Sequence, residues 1–253
     1  MTFDKDPWSF LRHFTHARIA LGRAGHAVPT NELLDFRMSH SKARDSVWSE
    51  VDFTSLKQNL ESLKQCVVEI ESLCQSKQDF LLNPDLGRKL SESSRSKLGE
   101  HKTTSYDCIL IIGDGLSASA IHENAWEFSQ KFLEFTGVSG LSVGPIILAK
   151  YARVGLGDPI GEVLGAKSSI MVIGERPGLA SADSLSVYFT YNPCRGKTDA
   201  DRNCISNIHA AGISPTGAAV MTEFLLKTSL QRRLSGVDLK LEYPALESSK
   251  SYP

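Results

Sequence analysis

The stretch Tyr106-Asp107-Cys108-Ile109-Leu110-Ile111-Ile112 runs straight into Gly113-Asp114-Gly115, and the segment from Leu116 to Phe135 follows. The first seven residues read as a strand buried on both faces, because an apolar run this short with flanking turn signals suits an interior strand. The glycines make a tight turn. Leu116, Ile121, Ala125, Phe128, Phe132 and Phe135 then fall on one side of a helix that Gly137 ends. This strand–turn–helix unit sets the rhythm of everything downstream. Pro145 to Tyr151 is a second strand, with a helix around Ile160 to Leu164, and Ile170–Ile173 and Ser186–Tyr191 read as further strands. Ser214 to Leu230 is a last helix with Pro215 near its start. Strands alternating with helices imply an α/β fold, a Rossmann-like, mostly parallel sheet covered on both faces.

Upstream the rhythm is helical. Thr15 to Gly25 reads as a short helix, and Thr30 can cap a second through Leu33, Leu34, Phe36, Ala43 and Val47. Leu56, Leu60, Leu63, Val67, Ile70 and Cys74 form one helical stripe that must pack on its own domain or on a partner. Asn83 to Gly87 is a turn, and Ser91 to Ser105, serine-rich and nearly free of apolar residues, reads as a linker. The expected organisation is a smaller N-terminal helical region over 1–90, a linker over 91–105, an α/β domain over 106–242 and a tail over 243–253.

Composition narrows the function classes. With 28 basic against 29 acidic residues there is no electrostatic footprint for nucleic acid or an anionic membrane. The five cysteines are scattered with no Cys-x-x-Cys, so a zinc or thioredoxin-type site is not suggested and reduced thiols are expected. The start MTFDKDPWSFLRHF has no basic segment followed by an apolar run, and no apolar run reaches a membrane span. A soluble intracellular protein is the expectation. His13 and His16 are three apart but lack a third partner, so no metal site is expected.

The strand-end loops hold the chemistry-bearing residues. Gly155-x-Gly157-x-x-x-Gly161 has one residue too many for a dinucleotide fingerprint, and no Gly-x-Ser-x-Gly elbow is present. Asp114 sits at a strand-to-helix junction, where it serves either a tight turn or a polar ligand. Glu175 follows the Ile170–Ile173 strand and precedes Arg176-Pro177-Gly178; its carboxylate either pairs with Arg176 or accepts from a ligand rich in N–H and O–H donors. Cys204 is a buried small hydrophobe, a nucleophile with His209 as base, or a pocket residue that contacts without reacting.

Seven segments resemble, in order, the small subunit of ethanolamine ammonia-lyase. They are Phe14–Gly25, Leu34–Asp45, Pro84–Arg88, Asp114–Ala118, Ala152-Arg153-Val154, Ile173–Gly178 and Asp201–Ile208. The resemblance implies a subunit of an adenosylcobalamin-dependent lyase that converts ethanolamine to acetaldehyde and ammonia. In that family the large subunit is a barrel holding substrate, and the small subunit closes over the cofactor from the other side. The cofactor supplies radical chemistry while the protein positions it and excludes water. No catalytic residue is assigned to this chain. The implied cobalamin contacts are Val154, Glu175 and Cys204, with Asp114, Arg153, Arg176, Asn203 and Ser206 in support. Asp-x-His-x-x-Gly is absent, which fits base-on cofactor binding. The implied partner is the large subunit in a hetero-oligomer, and the implied location is the cytoplasm or a bacterial microcompartment. Two other readings stand beside it: a thiol enzyme using Cys204 and His209, and a scaffold subunit without a ligand.

Overall fold

The computed structural model describes residues 6–15, 17–103 and 106–240. The run that opens the α/β rhythm forms β2 (Ile109–Gly113), every residue of it buried. It lies inside a six-stranded sheet of order β1-β3-β2-β4-β5-β6, where β1 is Val67–Glu71, β3 Ile146–Lys150, β4 Ser168–Gly174, β5 Leu185–Tyr191 and β6 Arg202–Ile208. The first four are mutually parallel; β5 runs antiparallel to β4, and β6 antiparallel to β5. The expected α/β class is present, but the mostly parallel, Rossmann-like sheet is corrected to a mixed one. Parallel neighbours need a crossover, usually a helix. The connection 175–184 contains no helix and 192–201 only a 3-10 turn, so both return as antiparallel neighbours.

Side chains alternate across the sheet. Leu110, Ile112, Ile146, Leu148, Ile170 and Val172 face a layer of α5 (Ala118–Val138) and α7 (Pro215–Arg232). Ile109, Ile111, Ile147, Ala149, Met171 and Ile173 face α6 (Gly157–Leu164) on the other side. Helix α5 covers one face and α6 the opposite one, so the chain leaves β2 and β3 toward different faces. That reversal opens a crevice beyond the C-terminal ends of β2 and β3, the usual place for function in open α/β sheets.

Three N-terminal expectations change. The described residues of Thr15–Gly25 are not helical, since Ala20, Gly22 and Gly25 all take left-handed backbone angles that a right-handed helix excludes. The stripe from Leu56 to Cys74 divides into α2 (Thr54–Ser62) and β1, parted at Lys64, whose φ is 61°. Leu56 and Leu60 enter the core from α2, whereas Val68 and Ile70 enter it from a strand paired along β3. The serine-rich linker 91–105 contains α4 (Glu92–Gly99): Ser91 caps it, Ser94 bonds both backbone groups of Glu71, and Leu98 is fully buried. Helix α1 (Thr30–Trp48) and the short α3 (Lys77–Leu82) complete the set; Thr30 lies inside α1, with Pro29 at its cap position. His16 and the tail 243–253 lie outside the described residues.

Candidate functional site

The crevice between β2 and β3 is closed by Asp114. Its Oδ1 accepts the backbone N–H of Gly115 and of Ala152, each at 2.8 Å, and its Oδ2 accepts that of Tyr151 at 2.8 Å. Burial pushes this carboxyl above the usual aspartate range, against the pull of Lys77 and of the three backbone donors. Lys77 is itself buried, which pulls its ammonium down, and its Nζ donates to the Gly115 carbonyl at 3.4 Å. Asp114 is thus a structural clasp and not a ligand-facing acid. It fixes Tyr151, which sits at φ 55°. A bulky residue at positive φ is an outlier costing about 1–3 kcal/mol. The Tyr151 hydroxyl is tethered to Glu50 Oε1 at 2.9 Å. The cluster fixes the backbone immediately before Arg153 and Val154.

The turn after β4 is brought alongside by close backbone approach. A Cβ on Gly115 would meet the Gly174 carbonyl oxygen at 2.3 Å, and Leu116 N–H donates to that oxygen at 2.9 Å. Only glycine fits there, and its φ of +58° agrees. Glu175 therefore leaves the sheet at a fixed point. Its Oε1 accepts the Tyr188 hydroxyl at 2.8 Å, so its partner is that phenol and not Arg176, which is exposed. Burial, then the bond to Glu175, pushes the Tyr188 hydroxyl well above the usual tyrosine range, so it stays a proton donor.

Tyr188 on β5 is directly opposite Cys204 on β6, and residues opposite each other in an antiparallel ladder share a face. That face is the α6 side, where Tyr188 packs against the inner cluster. Cys204 is nonetheless exposed. Partial desolvation among its neighbours, followed by the Glu175 charge, pushes the thiol pKa up. A neutral thiol is a poor nucleophile. His209 cannot serve it as a base, because Nε2 is bonded to Asn207 Oδ1 at 2.7 Å and Nδ1 accepts from Ala211 N–H at 3.3 Å. The thiol-enzyme alternative loses its base.

Of the remaining sequence-chosen residues, Arg153 and Val154 line a cleft of about 990 Å³ together with Tyr188, Asp158 and Arg202. Ser206 is exposed on β6. Asn203 is committed elsewhere: its side chain accepts from Gly236 N–H at 2.7 Å and donates to the Gly236 carbonyl at 3.2 Å. Two participants were not anticipated. Tyr188 could be picked out only by knowing which strand lies beside β4. Arg202 forms a forked pair with Asp158 at 2.7 and 2.6 Å, both side chains nearly buried, and bolts β6 to α6. Burial pulls the guanidinium pKa down, but the Asp158 bonds hold it above its ordinary value. Among the described residues, no group of three His, Cys, Asp or Glu side chains could hold a metal ion, and no helix is long and apolar enough to cross a membrane.

An α/β protein with a mixed six-stranded sheet and a polar wall at its strand ends is what these features define. Comparison with known proteins makes this specific. The family model for the ethanolamine ammonia-lyase light chain matches residues 5–240. The small subunit of ethanolamine ammonia-lyase from Rhodopseudomonas palustris (strain BisA53) is 46% identical over 91% of this chain and 88% of its own length. Those of Pseudomonas putida (strain W619) and Pseudomonas fluorescens (strain SBW25) are 42% and 43% identical, each over 94% of this chain and over 89% and 87% of their own lengths. The chain belongs to the ethanolamine ammonia-lyase small-subunit family. It is thus part of an ammonia-lyase complex, and a small subunit implies a partner subunit.

Proposed function

We propose that this chain forms one wall of an adenosylcobalamin site in an ethanolamine ammonia-lyase, facing a large catalytic subunit that holds ethanolamine and releases acetaldehyde and ammonia. Val154, Glu175 and Cys204 would hold the cofactor, which supplies the organic radical chemistry when bound. The observation that carries the reading is the alignment through Tyr188: its hydroxyl bonds Glu175, its ring lies opposite Cys204, and it lines the same cleft as Val154. The residues suit a corrin. Val154 is a half-buried apolar contact. With Oε1 held by Tyr188, the other Glu175 oxygen retains acceptor capacity for amide N–H donors on a ring's rim. Cys204 offers a neutral, polarizable surface that packs without reacting.

The same reading accounts for α1. Only Glu32 and Ser46 are buried on it, while Leu34, Phe36, Met38 and Trp48 are exposed, the surface a partner subunit would cover. Of the Leu56–Cys74 stripe, Leu56, Leu60, Ile70 and Cys74 are buried within the fold and Leu63 is exposed. Cytoplasmic residence, free or inside a bacterial microcompartment, belongs to this reading too. Reconstitution tests it. The purified chain alone should give no acetaldehyde from ethanolamine; with the large subunit and adenosylcobalamin it should restore turnover. Turnover by the large subunit and cofactor without this chain would overturn the proposal.

A further inference from the structure

We infer that Arg88 and Arg153 form a seat for a phosphate-class anion, and that its occupant is the phosphodiester in the nucleotide tail of the bound corrinoid. The second clause rests on the cobalamin reading above; the first stands on this chain's own geometry. Two 3-10 turns, Leu86–Arg88 and Val154–Leu156, are laced together at the strand ends. Arg153 N–H donates to the Gly87 carbonyl at 2.9 Å. A Cβ on Gly87 would lie 2.7 Å from Arg153 Cγ, and the atoms nearest a Cβ on Gly155 are Arg88 Cγ, Cδ and Cβ at 3.4–3.7 Å. Each turn therefore carries the other's arginine stem across a bare glycine, so both arginine side chains line one cleft.

Arg153 is held rigidly. Its guanidinium carbon lies 4.2 Å from the Phe80 ring centroid, and one Nη donates to the Phe80 carbonyl at 3.0 Å. Its Nε is buried with no hydrogen-bond acceptor. Burial, then the charge of Arg88 and that of Arg176, pulls its pKa down. Like charges have been packed together, then, without a shared counter-ion. The carboxylate paired with Arg88 is Asp85 at 2.9 Å, with both side chains more than half exposed, so this pair is weak. The surrounding cleft is lined by seven basic side chains against four acidic ones, and one of those acids, Asp158, is already neutralised by Arg202. The helical run from Val154 into α6 starts at the same place and turns its positive end toward it.

Paired planar guanidiniums match two or more oxygens of one phosphate, a geometry that lysines do not reproduce. Val154 is the next residue after Arg153, so a ligand resting on Val154 has its edge beside the two arginines. The nucleotide-tail phosphodiester is the one strongly acidic group a cobalamin carries.

The test uses the complex of this chain with its large subunit. Equilibrium affinities for adenosylcobinamide phosphate and adenosylcobinamide, which differ by the phosphate, are read from the corrin absorbance. The wild-type complex should prefer the phosphorylated form about tenfold, in line with a charge-assisted contact. Arg88→Gln and Arg153→Lys should each shrink that preference threefold or more, and Arg88→Gln should leave cobinamide affinity unchanged. Arg88 is exposed, so Arg88→Gln should melt like wild type and keep the test independent of folding. A preference unaltered in both variants would overturn the seat while leaving the cobalamin reading intact. If neither corrinoid binds the wild type, the cobalamin reading fails. Calorimetric binding of inorganic phosphate that is lost in Arg88→Gln would then uphold an anion seat filled from solution, and no phosphate binding would overturn it.

Discussion

Asp114→Ala removes the acceptor for the backbone N–H groups of Gly115, Tyr151 and Ala152, all held at 2.8 Å by a side chain that is 2% exposed. Each orphaned buried N–H costs about 1–3 kcal/mol. Losing the buried carboxylate offsets part of this, since burial already opposes its charge. The net loss should be about 4 kcal/mol, and a chain of this size shifts by about 2–4 °C per kcal/mol, so Tm should fall by roughly 10 °C. Asp114→Asn keeps one carbonyl oxygen for two of the three donors, and its amide clashes with the third. It should lose about 1–2 kcal/mol, or roughly 4 °C. Thermal unfolding followed by circular dichroism supplies both numbers. An alanine variant within 2 °C of wild type, or an asparagine variant as damaged as alanine, would refute the clasp. Because the clasp fixes the backbone immediately before Arg153 and Val154, Asp114→Asn should also weaken corrinoid binding while the complex still assembles.

Arg202→Ala strands the buried Asp158 carboxylate and should cost about 3–5 kcal/mol, whereas Arg202→Met with Asp158→Leu should recover much of it; a double-mutant cycle on Tm reads the coupling. Cys204→Ala should retain turnover within about threefold, and Cys204 should alkylate slowly at pH 7.5, because its thiol pKa is raised; mass spectrometry after a short iodoacetamide pulse checks this. Asp201 accepts the Thr198 N–H and hydroxyl, which hold its carboxyl down to about 2. A depressed carboxyl stabilises above its unfolded pKa and loses that contribution as pH falls through the folded one. The 197–202 turn should therefore loosen between about pH 4 and 2, with a carboxyl NMR midpoint near 2 for Asp201.

What could be read from the chain depended on where apolar residues go. Strands β2, β3, β4 and β5 and helices α5 and α7 announced themselves, since each carries a run or stripe that must be buried. Strand β1 hid inside a false helical stripe because Leu56 and Leu60 end one element, and Val67 and Ile70 resume in register for another. Strand β6 went unseen as a strand: it is a polar edge strand with only Ile205 and Ile208 buried, so its sequence reads as a loop. Serines 91 and 94 looked like linker residues, yet they cap a helix and bond a strand edge. At the candidate site, Asp114 and Glu175 could be picked out because each follows a strand directly, whereas Arg153 and Val154 entered only through the family resemblance. The contacts that organise them, Tyr188 with Glu175 and Arg202 with Asp158, depend on sheet order and have no local signature.

The most direct measurement of the central claim is the dissociation constant for adenosylcobalamin in the assembled complex carrying Glu175→Ala, with Glu134→Ala as a surface control on α5. Loss of one charged acceptor should weaken binding about tenfold, or about 1.4 kcal/mol, with the control unchanged. Wild-type affinity in the Glu175 variant would contradict the placement of the cofactor on this wall.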